Sequence, residues 1–170
     1  MKRLILIGGP MGVGKTAACR ALQKRLPNCV FLDGDWCWDA SPFIVTEETK
    51  ALAADNIVHL LTSFLACSAY ETVLFCWVMH LPEIQQSLLS RLPLTGCRVD
   101  AFSLICTEEA LRSRLQTDVD AGLREPGVIG RALAYLPLYP SLNRPCIDTT
   151  FFTAGQTAEA VLSRLSYGEG

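Results

Sequence analysis

The sequence has no long hydrophobic run, no paired cysteines and no concentration of basic charge. A membrane span takes ~18 or more consecutive apolar residues, and the nearest approach, Ile57 to Tyr70, is interrupted by His59, Thr62, Ser63 and Ser68. Lys2 and Arg3 ahead of Leu4-Ile5-Leu6-Ile7 imitate a secretory signal. Such a signal needs roughly 7–15 apolar residues, whereas here glycines intervene at once and Lys15 follows. Thr16-Ala17-Ala18-Cys19 is likewise a lipoprotein-like site without its hydrophobic stretch. The eight cysteines include no CxxC pair, so the close ligand spacing usual in zinc sites is missing. Several lie within apolar runs such as Leu74-Phe75-Cys76-Trp77-Val78, where buried, reduced thiols act as small hydrophobes. That usage implies a reducing, cytoplasmic compartment. Lys and Arg number 15 against 17 Asp and Glu, for a formal charge of −2. They are dispersed, which leaves no electrostatic footprint for nucleic acid. No membrane partner is implied either.

What the chain does have is 170 residues, half of them hydrophobic, enough for one domain spanning residues 1–170. Short apolar runs alternate with amphipathic stretches. Leu4–Ile7, Val30–Leu32, Val73–Val78 and Val99–Ile105 read as strands, with Cys146–Ile147 a short fifth. Helical patterns fill about 15–26, 47–69, 82–91, 107–117, 127–136 and 156–166. Thr107-Glu108-Glu109 is a helix start, a capping hydroxyl followed by acids that suit the positive end of the dipole. Such alternation predicts parallel strands joined by right-handed crossovers, with helices on both faces of an α/β sheet. The stretch Asp118–Gly127 holds Gly122, Pro126 and Gly127 and is expected to be a mobile loop.

Gly9-Pro10-Met11-Gly12-Val13-Gly14-Lys15-Thr16 is a complete GxxxxGK[ST]. With glycine at roughly 7% of residues, chance would place it in such a chain on the order of once in a hundred times or less. It follows an apolar strand and opens a helix, the context that a phosphate-binding loop requires. Glycines let the backbone wrap so that successive N–H groups face phosphate oxygens, and the new helix adds its positive end. Lys15 supplies a compact charge to the β- and γ-phosphates, and the Thr16 hydroxyl can hold Mg²⁺. The expected ligands are therefore ATP and Mg²⁺.

The DxxG and NKxD segments of GTPases do not occur, and the chain is too short for the modules of motor ATPases. Strand, loop and then Phe31-Leu32-Asp33-Gly34-Asp35 resemble the small P-loop kinases, a nucleoside- and nucleotide-kinase-like group with an AAA-type ATP-binding core. The resemblance is to gluconate and adenylylsulfate kinases especially, whose second strand ends in a similar DGD, and also to chloramphenicol phosphotransferase, which has an Asp at a comparable place. Thr107 to Leu115 is similar to their helix leading into the lid, and Ile147-Asp148-Thr149-Thr150 to their last strand. The resemblance implies a three-layer P-loop fold with a five-stranded parallel sheet in the order 2-3-1-4-5 and a lid at about 118–127. It also implies that Arg114 lies along the adenine and that Arg124 and Arg131 meet the phosphates. Asp35 follows the carboxyl end of a strand, where ligands of open sheets bind. It is the expected proton acceptor and, with Thr16, a metal candidate; Asp33 is its competitor for both roles. Unlike nucleoside monophosphate kinases, this chain has no acid at the end of its third strand, which reads Val73 to His80.

Trp36, Trp38, Trp77 and His80 fall near the ends of the second and third strands. Together with Asp33 they suggest a pocket for a flat, partly apolar acceptor such as a nucleoside, a nucleotide or an aromatic natural product. Core packing is the alternative for the tryptophans, and His59 is expected to be structural. The expected activity is transfer of the γ-phosphate of ATP to this small molecule by a monomer or homodimer. The alternatives are an ATP-binding regulator and a simple ATPase.

Overall fold

A computed structural model describes residues 1–165. Five strands, β1 (Lys2–Gly8), β2 (Cys29–Asp33), β3 (Thr72–Trp77), β4 (Cys97–Ile105) and β5 (Cys146–Asp148), form one sheet in the order β2-β3-β1-β4-β5. Every pairing is parallel, as the resemblance implies. Six helices connect them: α1 (Lys15–Gln23), α2 (Glu47–Ala66), α3 (Pro82–Leu89), α4 (Glu108–Asp120), α5 (Gly127–Tyr135) and α6 (Ala154–Leu165).

Both faces of the central strand are covered, so it reads as a continuous apolar run. Ile5 and Ile7 point into a core shared with α1, α4, α5 and α6. Leu4 and Leu6 point into a second core built with α2 and α3. Phe75, fully buried in that second core, is worth about 3–5 kcal/mol against alanine. The helix starts follow local chemistry. Thr46 and Thr49 cap each other reciprocally at α2, Thr107 accepts the Ala110 amide at α4, and Pro82 opens α3, where its missing N–H costs nothing.

Some boundaries differ from expectation. α4 continues to Asp120, so the irregular segment is 121–126 and not 118–127. α6 begins at Ala154, and residue 166, the expected last residue of that helix, lies outside the described residues. His59 is exposed, because the buried stripe of α2 is Ala53, Ile57, Leu61 and Leu65 and residue 59 lies off it. All eight cysteines are free; Cys19, Cys76 and Cys106 are buried and the others half-buried. Among the described residues no helix is long and apolar enough to cross a membrane.

Candidate functional site: a phosphate loop facing a two-carboxylate turn

β1 leads into the loop of residues 9–14 at the carboxyl edge of the sheet. Gly12 has φ +80°, and a Cβ there would stand 2.5 Å from Leu115 Cδ2, so α4 closes directly onto the loop. Gly14 caps α1 in the left-handed region, with φ +101° and no side-chain cap. First-turn amides of a helix lack an intrahelical acceptor, and among the described residues no loop carbonyl takes up those of Lys15 or Thr16. They remain available to an anion, beside the positive helix end. Lys15 is buried and donates from Nζ to the Pro10 carbonyl at 2.9 Å. Burial pulls its pKa down, while Cys76, Asp35 and Asp33 oppose that pull. Below the loop the Cys76 thiol, hydrogen-bonded with Cys19 and buried, is held far toward its protonated form.

The turn after β2 separates two carboxylates. Asp33 is 3% exposed; its Oδ2 accepts the Thr16 hydroxyl at 2.6 Å and its Oδ1 the Asp35 amide at 3.1 Å. Asp35 instead reaches solvent and hydrogen-bonds the Trp77 side chain. Crowding by the site desolvates its carboxylate and raises its pKa, and the charge of Asp33 adds to the rise. Lys15, the Trp77 bond and Arg124 partly offset it. Gly34 between them is demanded by Trp77, whose Cδ1 would lie 2.6 Å from any Cβ. Of the two carboxylates that the sequence offered beside Thr16, Asp33 is the one that accepts its hydroxyl. The acid missing from β3 is supplied by its neighbour, since Asp33 stands in register with Cys76. A hydroxyl and a carboxylate at this spacing are hard oxygen donors of the kind Mg²⁺ takes alongside phosphates and water. The pair therefore fits that ion.

Arg114 is half-buried and fastens three segments together. Its guanidinium donates to the Val13 carbonyl at 3.3 Å and to the Thr149 and Thr150 carbonyls at 2.7 and 3.2 Å. Arg124, in the 121–126 segment, bonds Asp118 at 3.0 Å, and its charge is felt at both Lys15 and Asp35. Arg131 lies on the exposed face of α5, and the structure does not bring it to the loop.

The tryptophans do not form one cluster. Trp36, 48% exposed, packs edge-on to Phe31 with the Arg20 guanidinium over its ring, on the α1 side of the sheet. Trp77 belongs to the α2 and α3 side. Trp38 meets Phe43 edge-on at 4.8 Å. His80 stacks on Tyr135 at 3.9 Å, nearly parallel; burial lowers its pKa, and its Nδ1 has no partner among the described residues.

Two residues that sequence reasoning missed fix this wall. Tyr139, fully buried, donates to the Val78 carbonyl, which also accepts the Gly9 amide at 3.4 Å. Arg144 donates to the Met79 carbonyl at 2.7 Å, the Ser103 hydroxyl at 2.7 Å and Gln85. Met79 sits buried at φ +37°, an uncommon backbone state for a residue with a side chain. Neither anchor has a local sequence signal, because their partners are 41 to 65 residues away.

The chain matches the family description of an AAA domain over residues 5–124. No curated protein sequence matches it. Among solved structures, the tunicamycin resistance protein of Deinococcus radiodurans aligns at TM-score 0.71 and 21% identity, covering 97% of this chain and 96% of its own. A gluconokinase from Sinorhizobium meliloti aligns at 0.67 and 19%, covering 96% and 93%. The Mycobacterium tuberculosis APS kinase, solved with AMPPNP and APS, aligns at 0.66 and 13%, covering 97% and 98%. These likenesses are of fold, over nearly the whole length of each chain. With the family match covering well over half of its residues, the chain belongs to the AAA domain family and carries the fold of the small P-loop kinases.

Proposed function

We propose that the protein is a cytoplasmic kinase that moves the γ-phosphate of ATP to a hydroxyl or phosphate of a nucleoside, a nucleotide or a similar partly aromatic small molecule, with Mg²⁺. One observation carries this reading: two carboxylates two residues apart are given different work, Asp33 being committed to Thr16 while Asp35 is left accessible near Lys15. Paired acids with divergent environments are how a site divides its roles.

The loop from Gly9 through Pro10, Met11, Gly12, Val13 and Gly14 to Thr16 would wrap the phosphates, with the Lys15 ammonium at the β- and γ-oxygens. Thr16 and Asp33 would hold Mg²⁺, which when bound neutralises charge on the phosphoryl group in transit. Asp35, held by Trp77, would take the proton of the acceptor group, and its raised pKa brings it nearer the working range of a general base. Arg124 would close from the lid over the spreading charge, with Arg131 following from α5 only if that helix moves with the lid. Arg114 would flank the adenine, on the side of the Thr149–Thr150 segment it already grips. Trp38, Trp77 and His80 would line the acceptor. Trp36, turned to the α1 face, would contribute only at the rim.

An ATP-binding regulator would be favoured by the lack of an acid on β3, and Asp33 in the adjacent register position speaks against it. A bare ATPase would have no use for Asp35 beside an aromatic wall. The direct test is a coupled assay for ADP release with Mg²⁺-ATP over a panel of hydroxyl compounds. Release that rises with one class of compound supports the kinase. Release that no compound alters supports an ATPase, and ATP binding without release supports a regulator.

A further inference from the structure

Charge in this protein is divided between its two halves. Residues 26–90, comprising β2, its turn, α2, β3 and α3, contain one basic residue, Lys50, against eight acids. That half carries −7, leaving +5 for the remainder of a chain whose total is −2. In a parallel sheet each connecting helix starts at the carboxyl edge, where the ligand crevice lies. Asp33, Asp35 and Asp39 after β2, Glu47 and Glu48 at the start of α2, and Glu83 at the start of α3 therefore all gather at that edge. Lys50 is spent on Glu47 at 2.8 Å.

The cations that reach this side from the other half are also engaged. Lys2 donates to the Cys67 and Tyr70 carbonyls, Arg20 stacks on Phe31 and Trp36, Arg91 pairs with Asp55, and Arg144 is held by Met79, Gln85 and Ser103. Lys15 and Arg124 act on Asp35 through their charge, but Lys15 is bonded to the Pro10 carbonyl within the loop and Arg124 to Asp118, on the nucleotide side of the crevice. Recognition of a carboxylate or phosphate normally relies on a bidentate arginine or a lysine, and this half offers neither beside Asp35. What it offers is Trp77 at the Asp35 carboxylate, Trp38 with Phe43, and His80 on Tyr135. Aromatic faces bordered by acids favour neutral rings and protonated amines.

Resting on the kinase reading and narrowing it, we infer that the acceptor is a hydroxyl compound without negative charge, neutral or amine-bearing, and that nucleotides and sugar acids are rejected by the field of residues 26–90. Like charges brought together at a recognition surface are strongly disfavoured.

Two measurements test this. The first needs no acceptor. All three tryptophans lie in the acidic half, so fluorescence quenching reads its field directly. In Trp36→Phe protein, which removes the ring under Arg20, caesium should quench more strongly than iodide by about 2-fold or more after normalisation to free tryptophanamide at one ionic strength. Reversing two exposed charges, Asp39→Lys with Glu83→Lys, should shrink or invert that ratio. The second compares matched acceptors in the ADP-release assay: uridine with uridine 5′-monophosphate, and glucosamine with gluconate. The uncharged or cationic member should exceed the anionic one by at least about 10-fold in kcat/KM, and the double reversal should narrow the gap with added salt having the same effect. Iodide quenching as well as caesium, or an anionic compound turned over as fast as its partner, overturns the inference while leaving the kinase intact. If no compound raises ADP release, the kinase reading falls and this one with it.

Discussion

The two halves of the crevice are built on different principles. On the side proposed for the nucleotide the main chain shapes the site: glycine dihedrals, first-turn amides of α1 and one ammonium form the loop. On the side proposed for the acceptor the side chains shape it: two aspartates, a half-buried tryptophan and a stacked histidine stand on a backbone pinned from the far edge by Tyr139 and Arg144. A main-chain site recognises what all nucleoside triphosphates share, and it tolerates no change in spacing. A side-chain site can change its ligand by single substitutions while the fold stays as it is.

This contrast is open to test by substitutions on either side. The largest separation is expected from Asp35→Asn: acceptor phosphorylation should fall about 10²–10⁴-fold while ATP affinity by calorimetry stays nearly unchanged. The acid limb of the wild-type pH profile should also lie above the ordinary aspartate range, since burial and Asp33 raise this pKa, and turnover should fall as Asp35 protonates. Lys15→Met acts on the opposite side and should cost about 10²–10³-fold in turnover, with weaker ATP binding in the same titration. Asp33→Asn should raise the Mg²⁺ concentration needed for half-maximal rate about 10–100-fold; an unchanged requirement would return the metal to Asp35. Arg114→Ala loosens the clamp on Val13 and Thr149, and KM for ATP should rise about 10-fold, as befits charge-assisted bonds. The smallest effect concerns stability. A carboxyl whose folded pKa is raised stabilises the fold only while protonated, below its unfolded pKa, and that contribution disappears as pH rises through the folded value. Asp35→Asn should therefore raise Tm at neutral pH by a few degrees at most, the difference vanishing below about pH 3.9.

The phosphate loop and the sheet could be read from sequence because both are periodic or fixed in spacing. Alternating apolar runs located all five strands, and GxxxxGK[ST] marked the loop that joins β1 to α1. Asp33 and Asp35 were harder to separate: Gly34 leaves the chain direction open, and only the Thr16 bond at 2.6 Å shows which carboxylate turns inward. Trp36 and Trp77 looked like neighbours near strand ends, yet strand parity sends Trp77 to the α2 side while the turn carries Trp36 toward α1. The exposure of His59 was legible in principle, since the four-residue stripe through Ile57 and Leu61 leaves it out. Arg144 and Tyr139 were not, because a bond from residue 144 to residue 79 follows from sheet topology and from nothing local.

Trp77 lies so close to Gly34 that a single methyl at that position would overlap the indole. The two sites are consequently bound to vary together: enlarging residue 34 demands a smaller residue 77, and a smaller residue 77 removes the partner that steadies Asp35. Drift toward new acceptors is thereby steered away from this corner and toward positions such as Trp38 and Phe43, where a ring can be exchanged without disturbing the carboxylate.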